Sequence, residues 1–338
     1  MCLHHQYWDR TISLGNSLTL SGYSRSAYRS GFCIKEWGVF LDAGLSTFTH
    51  PNVVLITHGH GDHTFSLGSF SLGGRQPAII CPEATRETLI QLLSCIRAAN
   101  NEISIERARA IITRQHCFKG LQGDLRPFNI HIKGKQTLKI TPIQLTHSIS
   151  SIGYGISQVS RGLSHQVLHL VSRDKLGSLM RVLKDRELNP GELDLLPEQT
   201  DLINQLKRDD QLMVDRFKPV LAYLLDTTSK VFDQEQVFQF PLIVTEATFL
   251  MEDDISDARQ KKHTHLFDLL PIILEHPDNK FVLTHFSLRY TDDEILSTCR
   301  ALLGPVDNVC LWLDQGPLWL VDAPFAEAEG GDTRPQSA

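Results

Sequence analysis

The sequence predicts an α/β fold: an αββα sandwich in which two mixed β-sheets pack face to face with helices outside. Three observations predict it. Short apolar, often β-branched runs recur along the 338 residues, at 53–56, 78–81, 136–144, 222–225, 242–244 and 281–284. Strand patterns alternate with helical ones in both halves. Forty-one per cent of the residues are hydrophobic, enough for a sizeable core. The expectation is one domain over 1–325, with a helical insertion at about 161–218. The Ala/Glu/Gly/Pro-rich stretch 326–338 reads as a disordered tail.

The elements follow in order. Residues 11–44 read as β-structure. Ser13 to Leu20 is short and mixed, and Ser21-Gly22-Tyr23-Ser24-Arg25-Ser26 reads as a loop. Gly31 to Leu41 has apolar arms about a polar middle, the pattern of a hairpin, and ends at Asp42-Ala43-Gly44. Ala78 to Cys81 is a buried strand. Pro82 and Glu83 then open a helix to about Asn100, with Leu89, Leu92, Leu93 and Ile96 on one face. Residues 136–144 form a strand leading to His147. In the insertion, Val167 to Val171 reads as a short strand. A helix with Leu176, Leu179, Met180 and Leu183 follows, then a break at Asn189-Pro190-Gly191 and a second helix around Leu202 to Leu212.

The chemistry concentrates after Val53-Val54-Leu55-Ile56. His58, His60, Asp62 and His63 fall within six positions, separated by Gly59 and Gly61. A strand that ends in this density of ligands delivers them to one loop. Imidazole nitrogen suits zinc first and manganese second, and a carboxylate can ligate or hold a water. Three further residues sit just after apolar runs: His147, Asp226 and His285. One sheet edge could therefore collect all seven. Glu246 follows the run Leu242 to Val244 and could orient a histidine from behind.

Composition bounds the rest. The formal charge of −6 argues against a protein that coats nucleic acid, though a local basic patch with metal ions can still bind phosphate. Seven scattered cysteines with no C-x-x-C pair read as reduced thiols. Met1 to Arg10 lacks an apolar signal core, and no run approaches the roughly 20 apolar residues of a membrane span. The expectation is a cytoplasmic, soluble protein with no membrane partner.

His58-x-His60-x-Asp62-His63 resembles the signature of the metallo-β-lactamase superfamily, whose fold is the αββα sandwich. Other segments resemble its ribonuclease Z family: Leu145 to Tyr154, Leu225-Asp226-Thr227, Thr245 to Phe249, Lys262-His263-Thr264 and Leu283 to Tyr290. The resemblance runs from about residue 12 to 320. Leu225 and Thr245 depart from the family's glycine and histidine. The 161–218 interval also departs: it holds ten Lys/Arg and ten Asp/Glu in place of a strongly basic, Gly/Pro-rich arm. Its two readings are an arm that grips RNA and a helical cap.

The resemblance implies two Zn²⁺ (Mn²⁺ or another divalent ion as substitutes). His58, His60 and His147 would hold one, Asp62, His63 and His285 the other, and Asp226 would bridge. It implies that Asp62 also orients the nucleophile, that His263 serves the leaving oxygen, and that Asp42 supports the metal loop. Ser287, Arg289 and Tyr290 either touch phosphate or cap the next helix. The 21–26 stretch falls where the family carries a substrate-contacting loop. The implied activity is endonucleolytic removal of 3′ trailers from transfer RNA precursors, by a protein that dimerises in most family members of this length. The alternatives are a small-molecule phosphodiesterase or esterase of the same fold, and a binding module that has lost its metals.

Overall fold

A computed structural model of the chain describes residues 5–47, 49–71, 76–132, 134 and 136–321. The tail expected at 326–338 lies outside the described residues. The chain divides into two compact units. The first runs to Ser157 and resumes at Pro219; the second is Gln158–Lys218.

Among the described residues, fifteen strands form two sheets. The first sheet takes β1 (Thr11–Gly15), β2 (Leu18–Arg25), β3 (Arg29–Ile34), β4 (Val39–Leu41), β5 (Val53–Leu55), β6 (Ala78–Pro82) and β7 (Cys117–Leu121), in that spatial order. β1 to β4 pair antiparallel and β4 to β7 parallel, so the sheet is mixed. The second sheet takes β8 (Phe128–Ile132), β9 (Gln136–Gln144), β10 (Ile152–Leu163), β11 (Met213–Leu224), β12 (Leu242–Glu246), β13 (Lys280–Thr284), β14 (Val309–Leu313) and β15 (Gly316–Trp319), again in sequence order. β11 to β14 are parallel, flanked by antiparallel pairs at both edges.

Period-two alternation decides which side chains meet. Val53, Leu55, Val244, Val282 and Trp312 face inward, into a core shared by both sheets with Phe32, Tyr154 and Tyr223. Val54, Ile56, Ile79 and Cys81 face outward and pack on Leu89, Ile90, Leu93 and Ile112. These last four belong to helices α4 (Glu83–Asn101) and α5 (Ile105–Gln115), which follow the short helices α1 (His5–Trp8), α2 (Gly61–Thr64) and α3 (Leu67–Ser71). On the other sheet, Ile243, Phe281, Leu283 and Leu311 pack outward on Leu266, Leu269, Ile273, Ile295 and Leu303. The result is the expected αββα sandwich.

The second unit holds α6 (His165–Leu170), α7 (Leu176–Asp185) and α8 (Pro197–Arg208) around its own core of Val167, Leu179, Leu183, Ile203 and Leu206. After it come α9 (Ile255–Lys261), α10 (Leu266–Glu275) and α11 (Asp292–Leu303) in the first unit.

Three local expectations are corrected. Ser21 to Arg25 is strand, not loop. Its serine hydroxyls find partners inside the fold: Ser21 Oγ donates to the Trp8 carbonyl and the Ser24 and Ser30 hydroxyls bond at 2.8 Å. Val167 to Val171 is not a strand. Leu163, Val167 and Val171 recur every fourth residue and all enter the helical core of the second unit. The last helix of that unit starts at Pro197 and ends at Arg208, earlier than expected. Pro197 suits a first turn, and the Gln199 side chain accepts the Leu196 N–H. Residues 213–218 belong to β11 instead.

Candidate metal centre

Each candidate ligand stands where a strand runs out. β5 ends at Leu55 and the chain continues through Thr57 to His58 and His60, then folds into α2 with Asp62 and His63. β9 ends three residues before His147, β11 two before Asp226, and β13 one before His285. Asp42 and His285 both take left-handed backbone (φ 60° and 61°), which bends the chain sharply at the ends of β4 and β13. Gly44 is required there: a side chain on it would collide with the Asp62 carbonyl.

The seven residues meet in two sets. His58, His60, His147 and Asp226 present ligand atoms within 4.8 Å of one another, and so do Asp62, His63 and His285. Asp226 faces both. Its Oδ2 lies 3.8 Å from His58 Nε2 and from His147 Nε2. Its Oδ1 lies 3.5 Å from His63 Nε2 and 3.2 Å from His285 Nε2. Asp62 Oδ2 is 3.4 Å from His63 Nε2 and 3.7 Å from His285 Nε2.

The donor set fits divalent metal ions. His63 Nε2, His285 Nε2 and Asp226 Oδ1 are buried and have no hydrogen-bond partner in the protein. Buried polar atoms are normally paired, and three unpaired ones converging from different elements suit a coordination centre.

Protein groups behind the rings fix which nitrogen faces inward. His63 Nδ1–H donates to Asp42 Oδ2 at 2.8 Å. Asp42 also accepts the Thr57 N–H (2.8 Å), the Thr57 hydroxyl (3.0 Å) and the Tyr223 hydroxyl (3.0 Å). The Thr57 oxygen faces His58 Nδ1 at 2.9 Å. The Lys262 carbonyl faces His147 Nδ1 at 3.2 Å, and the Thr248 hydroxyl faces His285 Nδ1 at 3.0 Å. So four of the five rings have Nδ1 occupied and Nε2 directed to the centre. Of these partners, Asp42 is legible in the sequence. Thr57, Tyr223, Thr248 and the Lys262 carbonyl carry no sequence signal, since threonine, tyrosine and a peptide carbonyl are common everywhere.

Glu246 is fully buried and ties the second half together. It accepts from the Thr227 N–H (2.5 Å), the Thr264 N–H (3.2 Å), the Thr248 hydroxyl and His263 Nδ1 (2.9 Å). His263 is thus aimed by a carboxylate, and its ring centroid lies 4.9 Å from that of His147 and 5.7 Å from that of His285. Ser287 and Arg289 are engaged by protein. The Ser287 N–H donates to the Thr248 carbonyl at 3.0 Å, and Arg289 pairs with Asp254 and, at 3.1 Å, Asp257. The Tyr290 hydroxyl also bonds Asp254, and the next helix is capped by Thr291 instead.

Charge follows from burial and neighbours. Burial, then the charge of His63, pushes His58 well below the usual histidine range. Burial also lowers His63, but Asp226 and Asp42 outweigh it and hold the ring well above that range. Burial raises Asp62, yet His285 and then His63, 3.7 Å and 3.4 Å from its Oδ2, reverse the sign and keep it ionised. For His263 burial is again opposed, by Glu246, and the result is a rise to about 9.

No protein-family model matches the chain. Curated relatives do. The chain is 24% identical over 317 residues to a chloroplastic tRNase Z of Arabidopsis thaliana, covering 89% of this chain and 76% of the relative. It is 26% identical over 277 residues to a ribonuclease Z of Bacteroides fragilis, covering 79% and 83%. A crystal structure of the short form of human tRNase Z aligns with a TM-score of 0.48 at 16% identity, over 92% of this chain and 98% of that one.

Proposed function

We propose that this chain, a divergent ribonuclease Z-like member of the metallo-β-lactamase superfamily, is a metal-dependent endoribonuclease that removes 3′ trailers from transfer RNA precursors. The observation that carries the reading is the Asp226 carboxylate, one oxygen toward each of two histidine sets, with His63 Nε2 and His285 Nε2 in the second set lacking hydrogen-bond partners in the protein.

His58, His60 and His147 would hold one ion and Asp62, His63 and His285 the other, with Asp226 between; zinc suits these donors best. Such a pair supplies Lewis acidity for a phosphodiester and a water acidified to near neutrality. The protein's own groups do the rest. Asp62 is fixed by the Ala27 N–H at 3.1 Å and stays ionised, so it can accept a hydrogen bond from the nucleophile and orient it. His263, anchored to Glu246 through Nδ1, offers its other nitrogen as a proton donor to the leaving 3′-oxygen. The products are a 3′-hydroxyl on the transfer RNA and a 5′-phosphate on the trailer.

One observation favours a small phosphodiester as the alternative substrate. In the second unit Arg161, Lys175, Arg186 and Arg208 are each paired with a carboxylate, which removes much of the charge an RNA-gripping surface needs. Cleavage of a labelled precursor with a 3′ trailer separates the readings. Zinc-loaded wild type should cut after the discriminator base, and His63→Ala and His263→Ala should not. Hydrolysis of bis(p-nitrophenyl) phosphate without RNA cleavage would move the substrate to a small diester. The family resemblance also leaves a homodimer open, and light scattering on the purified protein tests it.

A further inference from the structure

Phe65 is 74% exposed, the most exposed of the large hydrophobic side chains among the described residues. A lone exposed apolar residue is ordinary. This one has an unusual seat. Its ring lies against the backbone of Gly61, so that a side chain at Gly61 would run into it. Gly61 stands between His60 and Asp62, so the ring rests on the metal loop itself. A second exposed aromatic lies in the turn between β2 and β3, one residue after a bond to the Asp62 carboxylate. Tyr28, 44% exposed, follows Ala27, whose N–H donates to Asp62 Oδ2. Its ring is braced edge-on against Tyr23 (centroids 6.4 Å), which is itself buried and bonded to Asp314 at 2.8 Å.

Of the cations beside the centre, Lys262 reaches the His147 carbonyl at 3.4 Å. Arg289 is spent on Asp254 and Asp257, and the chain carries a net −6. A ligand whose diester reaches the seven ligands meets planar apolar surface on the adjoining loop. The group that joins a diester to a flat aromatic face is a nucleotide.

We propose that Phe65 is a stacking platform for an unpaired nucleobase next to the scissile phosphate, with Tyr28 as a second aromatic wall. The inference deepens the ribonuclease reading and rests on it for the identity of the site. Stacking tolerates every base because each has a π-face, so it supports binding of a single-stranded segment without sequence choice.

The test compares two chromogenic diesters, the p-nitrophenyl ester of thymidine 5′-phosphate and ethyl p-nitrophenyl phosphate, which lacks a base. The readout is the ratio of their kcat/KM values. Phe65→Ala should lower that ratio by ~5- to 150-fold, the range expected for one lost base–aromatic stack. Phe65→Trp should keep or raise it. An unchanged ratio in Phe65→Ala, or a loss equal on both esters, overturns the proposal, since the ring would then be only a brace for the loop. A second arm reads binding alone: fluorescence anisotropy of a labelled single-stranded RNA on metal-loaded His263→Ala, with and without Phe65→Ala. If wild type cleaves no transfer RNA precursor but anisotropy still falls with Phe65→Ala, the processing assignment fails and the base platform stands. Equal RNA binding by the two proteins overturns the platform.

Discussion

The two units of the chain spend their sequence on different ends. In the first, the strand ends bury polar groups: His58, His63, His285, Asp42 and Glu246 are at most 1% exposed. In the second, the buried side chains are mostly aliphatic, joined by the uncharged Ser164, Thr200 and Asn204, and charged residues lie outside in pairs such as Arg186–Glu192 and Arg208–Glu187. The contrast teaches where stability and chemistry are separable. Apolar burial contributes free energy to any fold that achieves it. A buried carboxylate costs free energy unless hydrogen bonds, a paired charge or a bound ion offset it.

The largest break of this comparison is Asp226→Asn. It removes the charge that faces both histidine sets, and diester hydrolysis should fall on the order of 10³-fold or more. Burial raises the Asp226 carboxyl, but His285 and then His63 outweigh it and hold it below the carboxylate range, so metal-free protein should lose some melting temperature with the charge at pH 7. Hydrolysis that survives the substitution would show that Asp226 is structural and the contrast is wrong. Next is Leu179→Ala in the second unit. The side chain is fully buried, and its truncation should cost ~2–5 kcal/mol of that unit's stability. Hydrogen exchange should quicken within 158–218, while metal content stays at the wild-type value. The smallest effect belongs to Glu192→Gln. Arg186, through a hydrogen bond, then the Asn189 amide, hold the Glu192 carboxyl down to about 2 from its ordinary 4.5. A depressed carboxyl stabilises above its ordinary value and loses that contribution as pH falls toward 2. On this exposed pair the wild type should melt only slightly higher than the variant at pH 7, and thermal scans should find the gap narrowing by pH 3.

The readings from sequence divide along the same line. His58 to His63 is contiguous, so its density is visible without a structure. His147, Asp226 and His285 are visible because each ends an apolar run, and a strand end is where a sheet presents side chains to a common edge. What stays hidden is pairing between distant segments. Nothing near Thr57 or Thr248 says that its hydroxyl holds a ring, and Lys262 acts through a carbonyl that any residue would supply. The errors are local. Val167 to Val171 has strand-like composition, yet its four-residue spacing with Leu163 obeys the helical core around it. Ser21 to Arg25 has loop-like composition, yet its hydroxyls find partners inside the fold. Composition misled in both places because tertiary context outranks it.

The occupied Nδ1 atoms carry one more consequence. Their partners are protein groups, Asp42, Thr57, Thr248 and a main-chain carbonyl, so the rings take their aim from the fold and not from the cargo. Small zinc domains collapse when a chelator strips them, because binding energy is their folding energy. Here the two ledgers are separate. On the proposed two-metal reading, such a site would empty and recharge like a socket, and the supply of ions would set its output without setting its shape.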